Sequence, residues 1–242
     1  MKRLTLVYAY YNNPTMLSEQ YSKWVRYSPE LKERVDIVVV DDGSQQKAVD
    51  VPRPADLPEL RIFRIAEDRP WHQNAARNLG AKYGHGTGDW LLLTDMDHVV
   101  PEDTIKALME KARNGGIYRF HRLEAGTMKP TLDRKGLPKP HPNTWAMSRD
   151  MYWDLGGYDE RTCGYYGTDS IFRAKIEKRG IPVAILKAPV IRYGRENIPD
   201  ASTTNLKRKE DRKPGWREAL IAKLNTSPAP EPGRFHWYEE KL

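Results

Sequence analysis

From Leu4 to Asp97 the chain alternates short apolar runs with longer amphipathic stretches. Leu4-Thr5-Leu6-Val7-Tyr8 is β-prone and is broken at Asn12-Asn13-Pro14. Met16, Leu17, Tyr21, Trp24 and Val25 then recur near helical spacing. Val35-Asp36-Ile37-Val38-Val39-Val40 is a mainly β-branched run of the kind that a parallel sheet buries on both faces. It stops at Asp41-Asp42-Gly43-Ser44, a strong turn signal. After the Pro-rich connection Val51 to Pro58, Leu60–Ile65 predicts a short strand. Asn74 to Tyr83 predicts a helix that stops at Gly84, and Trp90–Thr94 a strand ending in Asp95-Met96-Asp97. Pro101-Glu102-Asp103 opens a helix to about Arg113, closed by Asn114-Gly115-Gly116. This rhythm predicts an α/β, doubly wound half over residues 1–115.

The second half is less regular. Ile117–His121 reads as a strand, and Leu123 to Pro142, rich in Gly, Pro, Lys and Arg, as a mobile loop. Thr144–Met147 predicts a strand, and Asp150–Leu155 a short helix broken by Gly156-Gly157. Thr168 to Arg179 predicts a helix, with Ile181–Leu186 and Val190–Tyr193 as two strands after it. From Asn205 the chain turns basic, through Lys207-Arg208-Lys209 and Arg212-Lys213. Three parts are expected: residues 1–115 and 116–204 as two halves of one domain, and a basic C-terminal extension at 205–242.

A chain of 242 residues can bury a sizeable core, and its 30% charged residues are of both signs among 7 Trp and 13 Tyr, a globular composition. The net charge of +7 suits anionic partners such as nucleotides, nucleic acid or an acidic membrane surface, although on charge alone a well-solvated surface is the favoured reading. Cys163 is the single cysteine, so neither an intrachain disulfide nor a zinc site of paired cysteines can form. The first apolar run is too short for a signal sequence, and no stretch approaches the roughly 20 apolar residues of a membrane helix. The expectation is a cytoplasmic protein with no membrane span.

Candidate chemistry gathers where predicted strands end. In open α/β sheets ligands bind beyond the carboxyl ends of the strands, which here carry Asp41-Asp42 and Asp95-Asp97. The one-residue spacing of Asp95 and Asp97 can aim both carboxylates at one hard divalent cation, or it can be a solvated acidic turn; the strand before it and the Pro-capped helix after it favour the site. Asp41 and Asp42 could accept from a base or a ribose, or form an Asx-turn before Gly43. Arg77 could pair with a diphosphate or lie on a helix surface, and His72 could touch a nucleotide or cap the segment. Asp169, opening a predicted helix, could take a proton from an acceptor hydroxyl or cap the helix.

Taken together, Tyr10-Tyr11-Asn12, Val39-Val40-Asp41-Asp42-Gly43-Ser44, Ala76-Arg77-Asn78, Asp95-Met96-Asp97 and Gly156-Gly157-Tyr158-Asp159-Glu160 followed by Gly167-Thr168-Asp169 resemble glycosyltransferase family 2. The second half also resembles the C-terminal part of galactosyltransferases. The resemblance implies a GT-A type Rossmann-like sandwich with a central, mostly parallel mixed sheet. It implies a nucleotide-diphosphate sugar as donor, commonly a UDP-sugar, and Mn²⁺ or Mg²⁺ as cofactor. Tyr11, Asp41, Asp42, His72, Arg77 and Asp95 would line the donor, Asp95 and Asp97 the metal, and Asp169 would be the base of an inverting transfer. Two positions depart from the pattern. Thr168-Asp169 stands where relatives often have Glu-Asp, and the late strand reads Val190-Ile191-Arg192-Tyr193-Gly194 without a metal-binding His. Arg192 could face the diphosphate there, and His236 could substitute as a ligand.

Trp145, Tyr165 and Tyr166 are candidate acceptor-binding residues, with ordinary core the favoured reading of Trp145 and Trp153. The acceptor is a hydroxyl on a saccharide, the family's usual case, or on a hydroxymethylated pyrimidine in DNA. For DNA the basic stretches Arg119–Lys139 and Lys207–Lys213 could follow the phosphates. The alternative is a nucleotide-sugar binding protein without turnover.

Overall fold

The computed structural model describes residues 3–69, 71–84, 89–113, 115–165, 167–202, 216–226 and 231–242. The strands are β1 (Leu4–Tyr10), β2 (Val35–Asp42), β3 (Glu59–Ile65), β4 (Trp90–Asp95), β5 (His98–Val99), β6 (Ile117–Glu124), β7 (Trp145–Ser148), β8 (Val183–Arg192) and β9 (Trp237–Glu239). The helices are α1 (Pro14–Trp24), α2 (Pro29–Lys32), α3 (Gln73–Tyr83), α4 (Glu102–Lys111), α5 (Arg149–Asp154), α6 (Asp169–Lys178) and α7 (Trp216–Thr226).

One mixed sheet runs in the order β5-β8-β6-β7-β4-β1-β2-β3-β9. The strands β4-β1-β2-β3 are mutually parallel. β7 runs antiparallel to β4 and β6, β8 returns parallel to β6, and β5 and β9 close the edges antiparallel. The chain leaves β1 toward β2 on one side and comes back to β4 on the other. The crevice beyond their carboxyl ends is therefore a topological switch point.

Alternation along β1 makes the layers. Leu4, Leu6, Tyr8 and Tyr10 pack on one face with Met16, Leu17, Tyr21 and Trp24 of α1 and with Ile105 and Leu108 of α4. Val7 faces the other side, where β2 places Val38 and Val40 against Ala75, Ala76 and Leu79 of α3, and Trp145 and Tyr152 pack with Phe172 and Ile176 of α6. Every residue of β2 is buried, as expected of a central parallel strand. Its one early charge, Asp36, is met by Arg3 Nε at 2.8 Å. Gly80 lets α3 approach β1 closely, since a Cβ there would lie 2.4 Å from Val7 Cγ1.

Three stretches differ from the pattern reading. The two late strands are one, β8, whose pairing with β6 jumps from Phe120↔Leu186 to His121↔Pro189. Pro189 has no N–H for the ladder, and the two residues before it bulge out. The stretch after β6 is not featureless: bridges Leu123↔Pro130 and Leu132↔Pro138 fold it into successive turns. Gly126 and Gly136 turn there at positive φ, and Asp133 Oδ1 accepts from the Lys135 and Leu137 amides. The C-terminal segment adds β9 to the sheet edge beside β3. Among the described residues no helix is long and apolar enough to cross a membrane.

Candidate active site

A cleft of about 280 Å³ opens at the switch point. Its lining takes Tyr10, Tyr11 and Asn13 from the end of β1, Asp42 from β2, and Asp95, Asp97 and His98 from β4 and β5. Arg69, Trp71, His72 and Gln73 come from the approach to α3, His141 and Asn143 from the approach to β7, Asp169 from α6 and Arg192 from β8. Four carboxylates from three distant stretches of the chain thus share one cavity with two arginines.

The two aspartates that end β2 part company. Asp41 turns inward, accepting from the Ser44 amide at 2.8 Å, the Ala48 amide at 2.9 Å and Arg64 Nη1 at 2.8 Å. It organises the turn and does not line the cleft. Asp42 does line it. Burial raises its pKa while His72, with Nδ1 at 3.2 Å from Oδ1, pulls it back. That approach lacks hydrogen-bond alignment, so Asp42 Oδ1 and both His72 nitrogens have no partner among the described residues. Gly43 follows at φ 73°, and a Cβ there would meet Asp68 Cα at 2.7 Å, so the loop carrying Asp68 and Arg69 can close over the turn only above glycine. Tyr11 reaches this loop, its hydroxyl 3.1 Å from Asp68 Oδ1.

Asp95 is held from below and from the side. Arg77, wholly buried in α3, donates to Asp95 Oδ1; Asn143 Nδ2 lies 3.2 Å from Oδ2 and His141 Nε2 3.4 Å. Burial alone would raise the Asp95 pKa, but Arg77 above all, then His141, His98 and Asn143, holds the carboxylate below the usual range. Arg77 itself does not reach the cleft surface: it is charged beneath Asp95, with Tyr158 at 5.1 Å across its guanidinium.

Asp97 faces the cleft with its Oδ1 2.7 Å from His98 Nδ1. The His98 and His141 rings lie against each other, tilted by 32° with centroids 3.8 Å apart, so each Asp of the pair has one imidazole beside it. Burial, then the neighbouring His98, pushes the His141 pKa well below its ordinary value, against the pull of Asp95. Among the described residues no three His, Cys, Asp or Glu side chains converge as a metal cage.

Asp169 opens α6, with Thr168 rather than Asp169 at the cap position. Its Oδ1 is buried and has no partner among the described residues. Burial raises its pKa and Asp95 adds to the rise, against Arg77 and Asn143. A carboxylate with one buried oxygen free of partners, and easier to protonate than usual, suits proton abstraction better than capping. Its placement depends on the Asn74–Asn78 stretch of α3. Asn74 Nδ2 donates to Thr162 and Thr168 hydroxyls at 2.8 and 3.2 Å, and Asn78 Nδ2 to the Tyr158 carbonyl at 2.9 Å. The Ala76-Arg77-Asn78 and Gly156-Gly157-Tyr158 motifs are therefore two sides of one joint.

Other predicted residues lie elsewhere. Trp145 is core, packed on Phe172 at 6.0 Å. Tyr165 is half-buried outside the cleft lining, and Tyr166 lies outside the described residues, as does the basic run Lys207–Lys213. His236 is exposed next to β9 and does not line the cleft, whereas Arg192 does, pairing with Glu124 at 2.7 Å. His98, His141, Asn143, Arg69 and Trp71 were not foreseen. His98 directly follows the acidic pair, and Pro140-His141-Pro142-Asn143 sits inside a stretch read as loop, so only proximity in space reveals them.

Residues 5–156 match the family model for glycosyl transferase family 2. The chain belongs to glycosyl transferase family 2. Solved structures agree on the fold of this family 2 chain. Staphylococcus aureus TarS residues 1–349 in complex with UDP-GlcNAc superposes with a TM-score of 0.62 at 16% identity, over 83% of this chain and 62% of that one. GalNAc-T7 with UDP, GalNAc and Mn²⁺ gives 0.60 at 15% identity, over 80% of this chain and 44% of that one. The fold is GT-A. Among curated relatives, the undecaprenyl-phosphate 4-deoxy-4-formamido-L-arabinose transferase of Edwardsiella ictaluri is 28% identical over 113 residues, 46% of this chain and 34% of the relative. The same-named enzyme of Photorhabdus laumondii is 26% identical over 116 residues, 48% of this chain and 35% of the relative. The family 2 chain thus spans about a third of the length of these relatives.

Proposed function

We propose that the cleft binds a nucleotide-diphosphate sugar, with UDP the favoured nucleotide, and transfers the sugar with inversion to an acceptor hydroxyl. The observation that carries this reading is the convergence of Asp42, Asp95, Asp97 and Asp169 on one cleft at the carboxyl rim of the parallel strands. Residues 1–115 supply the donor wall and residues 116–204 the acceptor side.

The donor's charge supports a metal. Four carboxylates against Arg69 and Arg192 make a cavity that repels a diphosphate unless a cation intervenes. Mg²⁺ and Mn²⁺ need no all-protein cage: one or two carboxylates plus substrate phosphates and water are enough, and Asp97 with Asp95 fits that donor set. Such an ion, when bound, neutralises charge on the departing diphosphate. In the protein's own contribution, Arg77 and His141 fix Asp95, His98 fixes Asp97, and the unpartnered His72 and Asp42 offer polar contacts to the nucleoside end. Asp169 removes the acceptor proton as the acceptor oxygen bonds to the anomeric carbon. The bond from that carbon to the diphosphate oxygen breaks on the opposite face, and the proton passes to solvent.

The acceptor is a saccharide hydroxyl or, as a second reading, a hydroxymethylated pyrimidine in DNA. The second is supported by the exposed Lys129, Arg134, Lys135 and Lys139 on the turns that follow β6. The test is a donor screen read by released nucleotide, with and without Mn²⁺, for wild type and Asp97→Ala. Metal-dependent release that the variant loses supports transfer, whereas nucleotide binding without release would make the chain a binder. DNA affinity that does not weaken with salt would remove the DNA acceptor.

A further inference from the structure

Phe235 lies in the C-terminal segment, far beyond the region matched to the family. Residues 231–242 return to the sheet and pass beside the N-terminal end of α3. They are tied at several points. The Ala66 amide donates to the His236 carbonyl at 2.8 Å, the Gly233 amide to Glu160 Oε1 at 3.0 Å, and Arg61 Nε pairs with Glu239 Oε1 at 2.6 Å. Between these ties, half-buried Phe235 packs edge-on to the His72 ring, with centroids 4.0 Å apart at 83°. The Arg69 guanidinium lies 5.1 Å from the same phenyl centroid. Phe235 also packs against the apolar cluster between β2, β3 and α3; it does not line the cleft itself, but His72 and Arg69 do.

No hydrogen bond fixes the His72 ring, because neither nitrogen has a partner among the described residues. Apart from the approach of Nδ1 to Asp42 at 3.2 Å, packing therefore sets its orientation, and Nε2 is uncommitted. Arg69 is half exposed, and a guanidinium in that position is mobile unless something restrains it; its anchors are the ion pair with Glu67 and the phenyl ring. We infer that Phe235 is a positioning residue for the donor nucleotide, holding His72 and Arg69 in binding geometry from outside the cleft. The inference rests on the donor reading given above and extends it: the C-terminal segment completes the donor wall. Restraint of this kind strengthens binding by lowering the ordering cost and leaves the chemical step alone.

The test is calorimetric titration of the full chain with UDP, GDP, CDP and ADP, each with Mn²⁺, alongside donor KM, kcat and Tm. The variants are Phe235→Ala, Phe235→Tyr and, as a control on the exposed face of β9, Tyr238→Ala. Phe235→Ala should weaken the preferred nucleotide and raise donor KM by about tenfold while kcat stays within about twofold. Phe235→Tyr should recover most of the affinity, and Tyr238→Ala should match wild type. Unchanged nucleotide affinity in Phe235→Ala would overturn the inference. So would a kcat that falls with Tm at constant affinity, which marks a merely structural role. Failure of wild type to bind any of the four nucleotides would instead remove the donor reading, and the inference with it.

Discussion

Arg77→Met tests the electrostatic floor of the site. Arg77 is fully buried and Asp95 is one-quarter exposed, and the two are in direct contact. Methionine keeps comparable length and apolar bulk but removes the charge, leaving Asp95 with Asn143 and His141 alone. Breaking a buried pair from one side costs about 3–5 kcal/mol, and the residual exposure of Asp95 puts the expectation near the lower figure, about 3 kcal/mol. In a chain of this size each kcal/mol moves Tm by about 2–4 °C, so calorimetry should record a fall of about 6–12 °C. Asp95→Asn strands the other charge, and the double variant should recover at least about 1 kcal/mol relative to the sum of the singles. The pH dependence has a definite sign. The Asp95 pKa is depressed in the folded state, so the pair's contribution is in place above the unfolded value of about 3.9 and is lost as pH falls below it. The gap between wild type and Arg77→Met should therefore stay level from about pH 5 to 8 and close on acidification. A Tm change under about 2 °C with strictly additive singles would refute the coupling of Arg77 to Asp95.

Other expectations follow from the same geometry. Asp97→Ala should lower metal-dependent nucleotide release by about 10²–10³-fold while leaving Tm within about 2 °C, as checked by coupled assay and calorimetry. Asp169→Asn should keep nucleotide affinity within about twofold and reduce transfer by about 10³-fold, measured by titration and product formation. Because the Asp169 pKa is raised and the base acts deprotonated, kcat/KM should rise with pH along a limb whose midpoint lies above about 3.9, and the Asn variant's residual rate should lack that limb. Gly43→Ala forces a Cβ to within 2.7 Å of Asp68 Cα at positive φ, and denaturant unfolding should show a loss of about 1–3 kcal/mol.

Much of the first half was legible because strand burial and turn chemistry are local. The β-branched run ending in Asp41-Asp42-Gly43 could only be a central strand stopping at the sheet rim, and Trp90 to Asp97 reads the same way. What local pattern could not decide was direction. Asp41 and Asp42 are neighbours, yet one caps a turn and the other faces the cleft, because successive side chains on a strand point opposite ways. Arg77 reads as a diphosphate partner or a surface helix residue until α3 is seen to bury nearly its whole length against the sheet. The paired histidines and Phe235 were illegible for another reason. His141 and Phe235 reach their partners through contacts that span 43 to 163 residues of chain, which no window of sequence contains. The second half reads poorly because β7 is short and pairs antiparallel with a distant strand, and because β8 is interrupted at Pro189.

The most direct measurement is a crystal structure of the full chain grown with UDP and Mn²⁺, with the metal located by anomalous scattering. The account predicts nucleotide in the cleft between Tyr11 and Arg192, the manganese peak at Asp97, and Asp169 facing the open end of the diphosphate. A nucleotide bound elsewhere, or Asp42, Asp97 and Asp169 dispersed over separate surfaces, would contradict it.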